Sequence, residues 1–119
     1  MTEQPAISFN AVSVDLPSAS AVAIDGEVDV TAVPALERAL AAAIETTAGG
    51  FVVDLSGLEF MDSSGLLAML NARGLLAREE RVMAVVCPAG PVRHLIEVAG
   101  VSQLLVVCDS REDAEAALS

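Results

Sequence analysis

The sequence predicts an α/β fold: a single domain with a mixed β-sheet of about five strands and about four α-helices packed against it. Three observations carry this expectation. Short apolar runs rich in Val and Ile alternate with stretches whose apolar residues recur every three or four positions, in the order β-β-α-β-α-β-α-β-α. The first two runs stand too close in sequence for a crossover and predict an antiparallel pair. The later runs are separated by helices and predict parallel neighbours. With 119 residues and 54% hydrophobic content, the chain can build one real core.

Taken in order, residues 1–5 are expected to be a loose tail, with the domain proper over 6–119. Ile7 to Val14 alternates loosely and reads as a first strand, broken at Asp15-Leu16-Pro17-Ser18. Ala21 to Ile24 is a second, ended or bulged by Asp25-Gly26. Pro34 suits a first helical turn, and Val33, Leu36, Leu40 and Ile44 then form one apolar stripe, stopped by Gly49-Gly50. Phe51 to Val53 reads as a buried central strand, and Asp54-Leu55-Ser56-Gly57 has turn composition. Leu58 to Met61 leads into Asp62-Ser63-Ser64-Gly65, where a second helix begins and runs to about Glu80 with Gly74 inside it. Val82 to Val86 is a strand, and Pro91 opens a helix with an inner stripe of Val92, Leu95, Ile96 and Ala99, ended by Gly100. Leu104 to Val107 is the last strand. Ser110 and Asp113 resemble a capping box for a closing helix that turns Ala114, Ala117 and Leu118 inward.

Composition excludes several functions. Six basic residues, all Arg, face 17 acids for a net charge of −11, so nucleic acid and anionic membrane surfaces are poor partners and basic protein surfaces better ones. Three Phe and no Trp or Tyr give no stacking platform for single strands. No apolar run reaches membrane-spanning length, and the N-terminus lacks the charged and apolar regions of a signal peptide, so a cytoplasmic location is expected. Cys87 and Cys108 each end a strand-like run and read as buried, reduced thiols. Two Cys and one His cannot make an ordinary zinc site, and no cofactor is expected.

The candidate site is Asp62-Ser63-Ser64-Gly65 at a helix start. Small polar residues there are helix caps, or they mark a place where an anion is held or made. A phosphate on a serine here would meet free N–H groups and the positive end of the helix dipole, while adding nearly two negative charges beside Asp62. A serine hydrolase would need a base, and His94, the one histidine, reads as a solvent-facing helix residue. The nucleophile-elbow pattern is absent. Asp25-Gly26-Glu27-Val28-Asp29 is an acidic turn without the spacing of a calcium loop, better suited to meeting a basic partner. The acids at 112, 113 and 115 read as a solvated helix face, and Leu66-Leu67 as core.

The stretch VVDLSGLEFMDSSGLLAML resembles the central motif of STAS domains, in particular bacterial anti-sigma factor antagonists. IDGEVDVTAVPALERAL is similar to that family's second strand, Gly-Glu-x-Asp turn and first helix, and VMAVVCPAGPVRHLIEVAGV to a later strand and helix. The likeness runs from about residue 6 to 118. It implies a small cytosolic protein that is not an enzyme. Such a protein binds an anti-sigma factor that is also a serine kinase, and so frees a sigma factor. It also implies that the kinase phosphorylates Ser63, ending the binding, that a PP2C-type phosphatase reverses this, and that Ser64 is a cap. Partner contact would fall on Glu27, Asp29, Asp62, Ser63, Ser64, Gly65 and Leu66. A second implied role is a non-catalytic STAS scaffold subunit of a transporter, lipid-transport or stress-sensing complex. The segment Asp15–Ser20 and Gly74 depart from the family's usual pattern.

Overall fold

The computed structural model describes residues 9–119, so the expected tail over 1–5 and the start of the first strand at Ile7 lie outside the described residues. Strands β1 (Phe9–Asp15), β2 (Ser20–Val28), β3 (Phe51–Met61), β4 (Met83–Val86) and β5 (Val106–Cys108) form one sheet in that spatial order. The β1–β2 pair is antiparallel, and β2 through β5 are parallel. The expected mixed sheet is therefore present, with its antiparallel strand at one edge.

Four helices cover it: α1 (Val33–Glu45), α2 (Ser63–Ala77), α3 (Pro91–Val98) and α4 (Arg111–Leu118). Side chains alternate across a strand, so β3 serves two cores. Phe51, Val53 and Leu55 meet Leu36 and Leu40 of α1, Leu66 and Met69 of α2, and Ile96 of α3. Val52 points to the other face, where Ala114 of α4 packs with Ala21, Ala84 and Val86. One face thus carries three helices and the other only the eight-residue α4.

Several expectations are corrected. Asp25-Gly26 bulges its strand, one of the two outcomes expected there, and Asp54–Gly57 does not end one. Instead β2 and β3 run on together through two register shifts, one between Ala23 and Asp25 and one between Gly26 and Glu27. Bulges absorb the turn-forming residues and leave the ladder to continue, which carries the end of β3 to the start of α2. The last strand begins later than expected, because Leu104 and Leu105 lie in turns whose N–H groups donate to the Val101 carbonyl. The inner stripes are narrower than expected: Ala99 and Ala117 are exposed, since each falls at the fraying end of a short helix. Glu115 is not simply solvated, for its carboxylate accepts hydrogen bonds from the Ser18 N–H and hydroxyl, both 2.7 Å long. Cys87 is buried as expected but Cys108 is only half-buried. Burial pushes both thiols' pKa up, so neither is a thiolate at neutral pH. Helix α2 is unbroken through Gly74.

Candidate functional site

Three tripeptides of the form Asp-x-Ser/Thr fold the same way: Asp29-Val30-Thr31, Asp54-Leu55-Ser56 and Asp62-Ser63-Ser64. In each, one carboxylate oxygen accepts both the backbone N–H and the hydroxyl of the residue two positions on. The N···O distances are 2.9, 2.9 and 3.0 Å for Thr31, Ser56 and Ser64. Such Asx turns satisfy donors that a helix start or a bulged strand would leave orphaned.

At residue 62 the turn decides which serine is available. Asp62 is the N-cap of α2 and also accepts from the Gly65 N–H at 3.3 Å. The Ser64 hydroxyl is spent on Asp62. The cap is thus Asp62, not Ser64, which supports it. Ser63 occupies the corner of the turn and the first position of α2, exposed, and its hydroxyl has no hydrogen-bond partner among the described residues.

The sheet brings the acidic turn to the same place. Val28 pairs with Met61, and the Asp62 N–H donates to the Val28 carbonyl at 3.2 Å. Glu27 and Asp29 therefore sit at the end of the sheet that presents Ser63, as sequence spacing alone could not establish. The Ser64 hydroxyl bond holds the Asp62 pKa below the usual carboxylate range; the Gly65 and Ser64 N–H groups assist, while desolvation and the Asp29 charge oppose. Asp29 is likewise held down, chiefly by the Thr31 hydroxyl and N–H. Both are ionised at neutral pH, so Ser63 has fixed negative charge beside it.

Two residues that the family resemblance puts in partner contact lie beneath the surface. Gly65 is buried and Leu66 is 4% exposed, packed in the three-helix core. The expectation that Leu66 and Leu67 are both core is half right, for Leu67 is 57% exposed. Exposed apolar side chains on the elements that flank Ser63 are Leu67 of α2, Phe60 near the end of β3, and Val30 in the 3₁₀ turn that packs against α2. Val30 is, like Ser63, the corner residue of an Asx turn, and that sequence signal could have found it.

Gly65 fixes how closely α2 approaches the sheet. A Cβ there would lie 2.6 Å from Met61 Cγ and 2.9 Å from Val28 Cγ1. Gly65→Ala is expected to destabilise the fold by about 1–2 kcal/mol, because flexible Met61 can yield but β-branched Val28 cannot. A urea midpoint equal to that of the wild type would refute the close approach.

His94 is exposed on α3. Among the described residues, no helix is long and apolar enough to cross a membrane.

The sequence pattern of the STAS domain family matches residues 10–114. An anti-sigma-B factor antagonist of Staphylococcus aureus (strain NCTC 8325 / PS 47) is 26% identical over 91 residues, covering 76% of this chain and 84% of the relative. Among solved structures, an anti-sigma factor antagonist from Mycobacterium paratuberculosis superposes with a TM-score of 0.87 at 28% identity, over 98% of each chain. The Bacillus cell fate determinant SpoIIAA in its phosphorylated form gives 0.65 at 20% identity, over 93% of this chain and 99% of that one, a likeness of fold.

Proposed function

The chain belongs to the STAS domain family, and from that premise we propose that it is an anti-sigma factor antagonist switched by phosphorylation of Ser63. Its partner is an anti-sigma factor that is also a serine kinase. Binding sequesters that partner in the cytoplasm and lets sigma-factor-dependent transcription proceed. A PP2C-type phosphatase resets the phosphorylated form. The chain itself performs no catalysis.

One observation carries this reading: of the two motif hydroxyls, only that of Ser63 is exposed and uncommitted, at the corner of the turn that opens α2. A kinase can reach it without unfolding the helix start. The surroundings fit a basic partner, since the acids Glu27, Asp29 and Asp62 and the exposed apolar Val30, Phe60 and Leu67 belong to elements that meet at this end of the sheet. Ser64 acts through Asp62, and Gly65 and Leu66 act from below by setting the height of the loop.

The test is intact mass after incubation with the cognate anti-sigma kinase, Mg²⁺ and ATP. Wild type is expected to gain about 80 daltons, one phosphoryl group. Ser63→Ala is expected to gain nothing while still binding the kinase. Addition of the same mass to Ser63→Ala would move the site elsewhere.

A further inference from the structure

Apart from Ser63 and Ser64 in its first turn and Asn71 and Arg73 further on, helix α2 is apolar on its outer side as well as its inner one, which a helix on a domain surface ordinarily is not. Its inner side carries Leu66, Met69, Ala72 and Leu76, all buried. At helical spacing its outer side carries Ser63, then Leu67, Leu70 and Gly74. Leu67 is exposed and Leu70 half-buried. Gly74 is exposed in the helix interior, and a Cβ there would meet nothing within 4 Å. The fold therefore gives no internal reason for the helix-weakening glycine. A bare backbone on a helix face is what close approach by another helix uses.

Charge along the same helix is ordered. Its N-terminal end carries the Asp62 cap with Asp29 beside it. No acid follows from Ser63 to Ala77, and Arg73 and Arg78 stand in the last turns, in no ion pair among the described residues. Glu79 beyond the helix is paired to Arg81.

We infer that the outer face of α2 is a docking track for one amphipathic helix of the partner, running antiparallel to α2 and making its closest approach at Gly74. The direction follows from charge. A helix tends to carry acids near its N-terminus and bases near its C-terminus, in keeping with its dipole. Laid antiparallel, its acidic end meets Arg73 and Arg78 and its basic end meets Asp62 and Asp29. The track starts at Ser63, so one docked helix covers both the switch and Gly74, over the roughly 22 Å that the 15 residues of α2 span. Where the track begins rests on the reading of Ser63 given above; its length rests on α2, and its polarity on Arg73 and Arg78 at one end and Asp62 and Asp29 at the other.

Two stapled helical peptides of about 18 residues, long enough to span the track, test this by fluorescence anisotropy against the unphosphorylated full chain. Both carry the same Leu stripe. One has Glu in its first turn and Arg in its last, and the other has them exchanged. The staple keeps both helical, so a difference reports charge order. The first peptide is expected to bind at least about tenfold more tightly than the second, a gap that Arg73→Glu with Arg78→Glu abolishes. Gly74→Leu is expected to weaken the first peptide at least about tenfold. Gly74→Ala is expected to weaken it less, while raising the domain's own Tm by about 3 °C, which separates lost docking from lost folding. Equal affinities, no binding, or indifference to Gly74→Leu would overturn the track. A chain that dimerises in solution, and that Gly74→Leu makes monomeric, would overturn it in favour of a second copy as occupant. Peptide binding unaffected by Ser63→Glu would leave the track standing and count against the Ser63 switch, whereas phosphorylation of Ser63 with no peptide binding would do the reverse.

Discussion

Ser63→Glu is expected to weaken binding to the anti-sigma factor by two to three orders of magnitude while shifting the domain's Tm by no more than about 2 °C. The small stability effect follows from two opposed contributions. A negative charge at the first position of α2 gains about 0.3–1 kcal/mol from the helix N-terminus. The ionised Asp62 cap, and Asp29 at the same end of the sheet, act against it in a water-exposed setting where such repulsion is of similar size. In a complex, water leaves. A charge buried without a partner at an interface costs about 2–5 kcal/mol, and each 1.4 kcal/mol is tenfold in affinity. Phosphate, with nearly two charges, is expected to do more than Glu. Titration calorimetry beside a thermal melt checks both halves. If affinity and Tm fall together, the switch acts on the fold; if neither changes, Ser63 is not at the interface.

The strands and helices were legible because their apolar periodicity is strong, and the antiparallel opening because Asp15–Ser20 is too short for a crossover. The extent of β3 was not. Asp54-Leu55-Ser56-Gly57 has the composition of a turn, and the local rule holds, since Asp54 does fold an Asx turn with Ser56. The ladder to β2 overrides its consequence by shifting register there. Ser63 was singled out only by the family resemblance, as the residue after the motif Asp, and the structure leaves its side chain exposed at the start of α2. The division of labour between the two serines was also open to a purely local reading: in Asp-x-Ser/Thr the hydroxyl at the third position returns to the carboxylate, and the middle residue turns outward unless a strand holds it, as happens to Leu55. The split between Leu66 and Leu67 needed the direction from which the sheet meets α2. So did the junction of Glu27–Asp29 with the serine loop, which depends on parallel pairing across the 32 residues that separate Val28 from Met61.

In the sequence Asp54 has no role beyond a turn residue, yet its replacement is expected to be among the most damaging single changes to stability. It is the one buried charged residue among those described, its side chain 5% exposed on the face of the sheet that α4 covers. One oxygen accepts from the Ser56 N–H and hydroxyl, and the other from Arg111 Nε at 2.6 Å, at the start of α4. Burial raises its pKa, but the Ser56 bonds and the Arg111 charge outweigh that and leave it below the ordinary value. Asp54→Ala removes three hydrogen bonds, two that shape the bulge at Ser56 and one that holds the start of α4, at an expected cost of about 2–4 kcal/mol. Arg111→Met should cost less, about 1 kcal/mol, because Arg111 is 41% exposed and water already screens it. A carboxylate with a depressed folded-state pKa contributes stability that is complete above its unfolded pKa, about 3.9, and lost as pH falls through the folded value. Wild type should therefore lose stability below about pH 4, and Asp54→Asn should lack that component of the acid loss. The loss should appear first in α4, which is anchored to the sheet by Arg111 and to the β1–β2 loop by Glu115. Hydrogen exchange resolved by residue decides the matter: at neutral pH, α4 amides in Asp54→Ala should exchange faster relative to β3 than they do in wild type. Unchanged relative protection would mean that the Ala114 contact, not the ion pair, holds α4 in place.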